Sequence, residues 1–349
     1  MARPDQDPRP GEAEPATVTG EVDDNLLAAG GPALVELAED RLFGAGPRYT
    51  PEQIWSLGAV PEALARELWL AMGFPNLPDD EAALTDRDLQ ALRRARELLR
   101  TGAFRPEQLV QQTRLMSQAM STITTAHVEA LFTSGGATGF LTGLAGEESA
   151  EVLAVLDELL SYLYRRHLLA ALERTALGDT SRDRLPEAVV GFADLTDFSA
   201  TTARATEEEL RVLVDQFAAS AANLVASAGG RVVKLIGDEV MFSVDDPLVA
   251  ADLALRLIDA TSEPDLPPVH AGLALGPVLS HHGDLFGSTV NVASRLSDVA
   301  RPGTVLVNDT LADALGETPG MELRRVHLRS LKGIGHVAAF KLRRRSPHP

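Results

Sequence analysis

At Gly178-Asp179-Thr180-Ser181, near the middle of the chain, the spacing of the apolar residues changes from helical to strand-like. Before this point, from Asp23 onward, apolar residues recur every three or four positions. After it come short β-branched runs: Val189-Val190-Gly191-Phe192, Arg231 to Ile236, Val240 to Val244, Val269 to Leu275 and Val305-Leu306-Val307. Helical stretches separate them, Glu207 to Ala226, Pro247 to Ile258 and Ser288 to Val299. Such alternation calls for a mixed sheet with helices packed on it. The chain of 349 residues therefore reads as two domains, each large enough to bury a core. They are an all-α domain over 23–178 and an α+β domain over 185–345, joined by a linker at 179–184.

Local signals place the amino-terminal helices. Thr50-Pro51-Glu52 is an N-cap followed by proline at the first helical position. Pro61 to Met72 is a second short helix, and Thr85 to Arg100 carries Leu89, Leu92, Leu98 and Leu99 at helical spacing. Arg105 to Phe132 is long and amphipathic. The glycines of Ser134-Gly135-Gly136, Gly139 and Gly143 predict a break before another long helix, Glu147 to Leu177.

Composition removes several function classes. The formal charge of −18 opposes non-specific attraction to nucleic acid or anionic lipid, while leaving room for a phosphate ligand in a small pocket. With no cysteine, disulfides, zinc–thiolate sites and cysteine nucleophiles are excluded. No apolar run approaches the ~20 residues of a membrane span. Residues 1–22, rich in proline and acidic side chains, read as a disordered tail and not a signal peptide, so the expected location is the cytoplasm. Lysine is avoided: Lys234, Lys332 and Lys341 stand among 32 basic residues. A lysine inside an apolar strand of such a chain needs a reason.

Three strings carry chemistry. In Lys234-Leu235-Ile236-Gly237-Asp238-Glu239-Val240-Met241-Phe242 two apolar strands flank Gly237-Asp238, which suits a two-residue hairpin turn with the Asp238 carboxylate at its tip. Phe192-Ala193-Asp194-Leu195 ends a strand with a carboxylate where a loop begins. Two aspartates from neighbouring strand ends suit a pair of hard cations ~3.5–4 Å apart, as used in phosphoryl transfer. In Gly283 to Arg295, Asn291 and Arg295 lie four apart on one helical face, an amide beside a guanidinium. Taken singly, each has an ordinary explanation: a turn residue, a helix cap, a solvated polar face.

Together, GFADLTDFS, KLIGDEVMF and GDLFGSTVNVASRL, with the closing LKGIGHVAAFKL, resemble the class III adenylate/guanylate cyclases across nearly the whole second half. The resemblance implies a ferredoxin-like mixed sheet with flanking helices and two divalent cations, Mg²⁺ or Mn²⁺, per site. Asp194 and Asp238 would be the metal ligands, with Leu195 lending a carbonyl. Lys234 and Asp284 match the pair that selects the purine, and their hydrogen-bonding pattern favours ATP. Asn291 matches the ribose-orienting amide, Arg295 the transition-state arginine and Lys332 a lysine at the terminal phosphates. Asp197 departs from the family pattern, which has a small residue there. No histidine or glutamate stands out as general base, so the proton is expected to leave to water or to the substrate.

Lys234 and Asp238 are four residues apart on one strand, ~13 Å, too far to grip both ends of one nucleotide from a single chain. A two-fold homodimer with two shared sites resolves this, and the family resemblance implies the same arrangement. The first half more weakly resembles the regulatory region of soluble mycobacterial pH-responsive adenylate cyclases, with TPEQIWSLGAVPEALARELWLAMGFP and LTDRDLQALRRARELLRTG carrying the likeness. By that analogy a proton or a lipid is the effector. His167, near the junction, and His281-His282, beside Asp284, are the candidate pH switch, against an ordinary surface or core role. The same stretches also resemble a MerR-type DNA-binding domain, which the acidic balance and lack of a sustained basic helix oppose. Alternatives for the second half are a nucleotide sensor without turnover and a diguanylate cyclase, whose Gly-Gly-Asp/Glu-Glu-Phe hairpin differs from Ile236-Gly237-Asp238-Glu239-Val240.

Overall fold

The computed structural model describes residues 38–44, 46–145, 149–177, 185–196, 205–260, 267–327 and 338–345, with backbone only for 131–145, 149, 150, 177 and 207. The expected tail 1–22 and linker 179–184 lie outside these residues, as do Asp197 and Lys332. The chain divides into two compact units, Met1–Leu169 and Ala170–Pro349.

The described elements of the first unit are helical: α1 (Pro51–Gly58), α2 (Glu62–Ala71), α3 (Asp86–Arg100), α4 (Pro106–Ala145) and most of α5 (Ser149–Leu177). Capping boxes start α1 and α3, where Thr50 pairs with Gln53 and Thr85 with Asp88. Ile54, Trp55, Leu68, Leu84, Leu89 and Leu92 form its core. The expected glycine break does not occur. α4 continues through Gly135, Gly136, Gly139 and Gly143 to Ala145. Each glycine costs a helix only about 1 kcal/mol relative to alanine, which weakens it without ending it.

The second unit is a seven-stranded sheet. Its strands are β1 (Glu187–Leu195), β2 (Arg231–Ile236), β3 (Glu239–Val244), β4 (Val269–Pro277), β7 (Val305–Asn308), β8 (Met321–Val326) and β9 (Ala339–Arg344), in the order β2-β3-β1-β4-β7-β9-β8. Among the described strands only β4 and β7 pair in parallel. A separate hairpin, β5 (Leu279–His281) with β6 (Asp284–Phe286), follows β4. The helices are α6 (Glu207–Ser227), α7 (Pro247–Ala260), α8 (Ser288–Val299) and α9 (Asp309–Leu315).

Strand period sorts the two faces. Val189, Ala193, Val240, Phe242 and Leu273 pack with residues of α6, α7 and α9 in the larger core. The alternate residues Ala188, Val190, Phe192, Met241 and Ala274 pack with Leu285 of β6 and Ala293 of α8. α8 approaches β4 closely. A Cβ on Gly272 would stand 2.1 Å from the Ser297 amide nitrogen and 2.4 Å from the Ala293 carbonyl, so only glycine lets the helix lie on the sheet here.

Candidate active site

Asp194 continues the series Val190, Phe192 and therefore faces the α8 side of the sheet. The register sets Asp194 opposite Glu239 of β3 on one flank and opposite His270 of β4 on the other. Three ionisable side chains thus form one row across adjacent strands. Asp238 stands beside it in the two-residue turn Gly237-Asp238 between β2 and β3. Gly237 has φ +63°, the left-handed first position that such a turn demands. The backbone ties the two acidic strand ends together, with the Leu195 amide donating to the Asp238 carbonyl at 3.3 Å.

The electrostatics of this corner are unfavourable to charge. Burial first, then the charges of Asp238 and Glu239 and a hydrogen bond to Asp238, raise the Asp194 carboxyl to about 7. Burial, then Asp298 and Asp238, raise Glu239 likewise to about 7, with Lys234 opposing. His270 is held below its ordinary value by burial, which outweighs the opposing influence of Asp298 and Asp238. Its Nε2 lies 3.7 Å from Asp194 Oδ2, beyond hydrogen-bond distance, while Nδ1 lies 3.3 Å from Thr196 Oγ1. Burial thus disfavours the charged imidazole that would act as a counter-charge to Asp194.

These carboxylates fit a divalent cation. Asp194 Oδ1 is buried and accepts no hydrogen bond from any described residue, so its desolvation is not offset among them. Among the described residues no three histidine or acidic side chains converge as a self-sufficient metal cage. Two carboxylates and a backbone carbonyl, completed by substrate phosphates, are the donor set that magnesium sites commonly use.

The purine end of the expected site is different in character. Lys234 Nζ donates to Asp284 Oδ2 at 2.6 Å, and the Leu285 amide donates to Asp284 Oδ1 at 2.8 Å. Burial tends to raise Asp284, but Lys234, the Leu285 amide and Arg231 together hold it below the usual carboxylate range. Asn291 and Arg295 both lie on the exposed side of α8, where Arg295 Nη1 donates to Asp298 Oδ2 at 2.6 Å. His281 and His282 stack at the hairpin tip, ring centroids 3.6 Å apart, and His167 is exposed on α5.

Four residues near these groups were not singled out from sequence: Glu239, His270, Asp298 and Arg231. His270 had a readable signal, an ionisable residue within the apolar run Val269 to Leu275, the same oddity that marks Lys234. Glu239 matters through its cross-strand position, which no local pattern reveals.

Residues 181–344 match the family of adenylate and guanylate cyclase catalytic domains. An adenylate cyclase of Streptomyces griseus is 37% identical over 327 residues, covering 88% of this chain and 79% of the relative. A pH-sensitive adenylate cyclase of Mycobacterium tuberculosis is 31% identical over 339 residues, covering 92% and 84%. Among solved structures, the catalytic core of a rhodopsin-guanylyl cyclase with converted specificity, in complex with ATPαS, is 22% identical with a TM-score of 0.43, over 46% of this chain and 97% of that one. The chain belongs to the class III adenylate/guanylate cyclase family.

Proposed function

We propose that the chain is an adenylate cyclase, converting ATP to 3′,5′-cyclic AMP and pyrophosphate at two sites shared within a homodimer. The observation that carries this is the pairing of an acidic corner, where Asp194 is desolvated beside Asp238, with a lysine–aspartate pair at the sheet edge. Relatives aligned over both halves of the chain are adenylate cyclases, which supports ATP as the nucleotide.

In this reading Asp194, Asp238 and the Leu195 carbonyl hold two divalent cations, Mg²⁺ or Mn²⁺. The chemistry those ions supply when bound is acidification of the ribose 3′-hydroxyl and neutralisation of triphosphate charge. Lys234 donates to adenine N1 and Asp284 accepts from the 6-amino group. Asn291 orients the ribose. Arg295, released from Asp298, balances the charge that builds on the α-phosphoryl group, a contribution of about 3–4 kcal/mol if it resembles other oxyanion donors. Lys332 belongs to the same reading as a contact to the terminal phosphates. The 3′-hydroxyl proton leaves to water or to a phosphate oxygen.

The edge strand supports a second copy. Leu235 and Ile236 of β2 are 51% and 48% exposed, and Leu279 and Phe286 of the β5–β6 hairpin are 50% and 45% exposed. An apolar strand left at a sheet edge is a surface that pairs or is covered. Two-fold pairing lets one chain offer its carboxylates to a nucleotide held by Lys234, Asp284, Asn291 and Arg295 of the other.

pH control is the finer part of the proposal. Protonating both rings of the His281–His282 stack places like charges on the hairpin that carries Asp284. His167 on α5 is the second candidate. The Ala variants at 167 and at 281/282 should lose part of the parent's pH dependence; unchanged profiles would remove these residues from regulation. No helix of the described residues is long and apolar enough to cross a membrane.

The decisive experiment mixes two inactive chains, Asp194→Ala and Arg295→Ala, each full length. Each alone should form almost no cyclic AMP, and the mixture should regain one working site per heterodimer. Absence of recovery with intact dimers would refute the shared site.

A further inference from the structure

Arg231 opens β2 and lies three residues before Lys234. In a regular strand residues three apart face opposite sides of the sheet. Here the register slips between Val232 and Lys234: Arg231 pairs with Ser243 and Lys234 with Met241, two residues apart on β3. The bulge takes up the odd residue and turns both basic side chains toward the β5–β6 hairpin. Lys234 then meets Asp284, and Arg231 Nη1 donates to the carbonyl of Gly283 at 2.8 Å.

Gly283 occupies a demanding position. The hairpin turn is His282-Gly283, with φ +54° and +81°, both left-handed as a two-residue I′ turn requires. His282 pays for that conformation with a side chain, so the turn needs outside support. Arg231 supplies a charge-assisted hydrogen bond at the residue directly before Asp284, and the two also attract one another across the gap. The other charges facing Arg231 are Asp245, which favours it, and Arg174 of α5, which opposes it.

We propose that Arg231 is a positioning residue for base selection: by holding the Gly283 carbonyl it places Asp284 where adenine's amino group is read. This rests on the cyclase reading above, in which Lys234 and Asp284 contact the purine. Lys234 bonds only the Asp284 side chain, whereas Arg231 holds the backbone at the neighbouring residue. The function of the bulge is to let one strand make both contacts.

The test measures ATP and GTP dissociation constants, together with cyclic AMP formation, for the full chain and its variants. Arg231→Met keeps the aliphatic stem and removes every donor. It should weaken ATP by about tenfold, leave GTP within about twofold, and leave kcat at saturating ATP near the parent value. Arg231→Lys, which retains a cationic donor group, should recover most of the preference. In the Asp284→Asn background, Arg231→Met should add almost nothing, since residues acting through one group are not additive. Equal weakening of both nucleotides, a selectivity unchanged from the parent, or full additivity with Asp284→Asn would overturn the proposal and leave Arg231 as a brace only. The binding ratio is read without turnover. A parent that binds ATP selectively but forms no cyclic AMP refutes the cyclase reading while the Arg231 claim is judged on its own. A parent that binds neither nucleotide refutes both.

Discussion

The two ends of the candidate site are built on opposite electrostatic plans. At the acidic end, Asp194, Asp238 and Glu239 crowd together on adjoining strand ends, and burial and mutual repulsion outweigh the opposing charge of Lys234 on Glu239. At the sheet edge, Lys234, Asp284, Arg231 and the hairpin backbone satisfy one another by hydrogen bonds and opposite charge. The first end stores an unmet demand for positive charge; the second is complete by itself and, in the proposed reading, exchanges partners to admit a purine. Such a division lets cations and nucleotide be recognised by different physics: charge at one end, donor and acceptor geometry at the other.

The sharpest way to break that contrast is to remove a carboxylate. Asp238→Ala deletes one of the two carboxylates proposed to hold the cations. Cation stabilisation of a transition state amounts to several kcal/mol, so cyclic AMP formation should fall by more than about a thousandfold. The same change removes a neighbour that raises both Asp194 and Glu239, so the metal-free protein should become no less stable. A large loss of activity without loss of melting temperature is the expected signature. Substantial residual turnover would show that the acidic end does not carry the chemistry.

Changing the other end should alter choice more than rate. Asp284→Asn keeps the size of the side chain and loses its charge to Lys234. An amide can present a donor to guanine O6 where the carboxylate could only accept. A hydrogen bond involving a charged group is worth about 1.5–3 kcal/mol, so the ATP-to-GTP preference in kcat/KM should narrow by about tenfold to a hundredfold. Equal loss with both nucleotides would instead place Asp284 in general folding of the hairpin.

Sequence made one end of the site more legible than the other. Lys234 stood out because the chain avoids lysine, and Asp284 because its string resembles a family motif; the structure sets the two in contact. Gly237-Asp238 was readable as a tight turn because turn chemistry is local, and the hairpin is observed there. What stayed hidden depends on neighbours distant in sequence. The row Glu239, Asp194, His270 exists only because β3 and β4 flank β1, and strand order is not written in any one strand. The bulge that brings Arg231 to Gly283 is a slip between β2 and β3, invisible in the alternation of β2 alone. The glycines in α4 misled for the converse reason: a local preference of about 1 kcal/mol per residue is easily overridden in a 40-residue helix.

The smallest expected effect tests the unmet demand itself, through stability. Asp194 is raised from 3.8 and Glu239 from 4.5, each to about 7. For a carboxyl whose folded value lies above its unfolded one, the native state holds a proton that the unfolded chain releases between those values. The associated stability is present at low pH and is lost as pH rises through about 7. Asp194→Asn removes one such group. Metal-free parent and variant should therefore melt closer together at pH 5 than at pH 8, the variant gaining on the parent as pH rises. In a unit of this size each kcal/mol moves the midpoint by about 2–4 °C, and a relative gain of that order is expected. Added Mg²⁺ or Mn²⁺ should stabilise the parent more at pH 8 than at pH 5 and the variant less at both, because a protonated or amidated side chain is a poor ligand. A parent–variant difference independent of pH would mean that the acidic corner is neutralised from within the chain, and the contrast between the two ends would not stand.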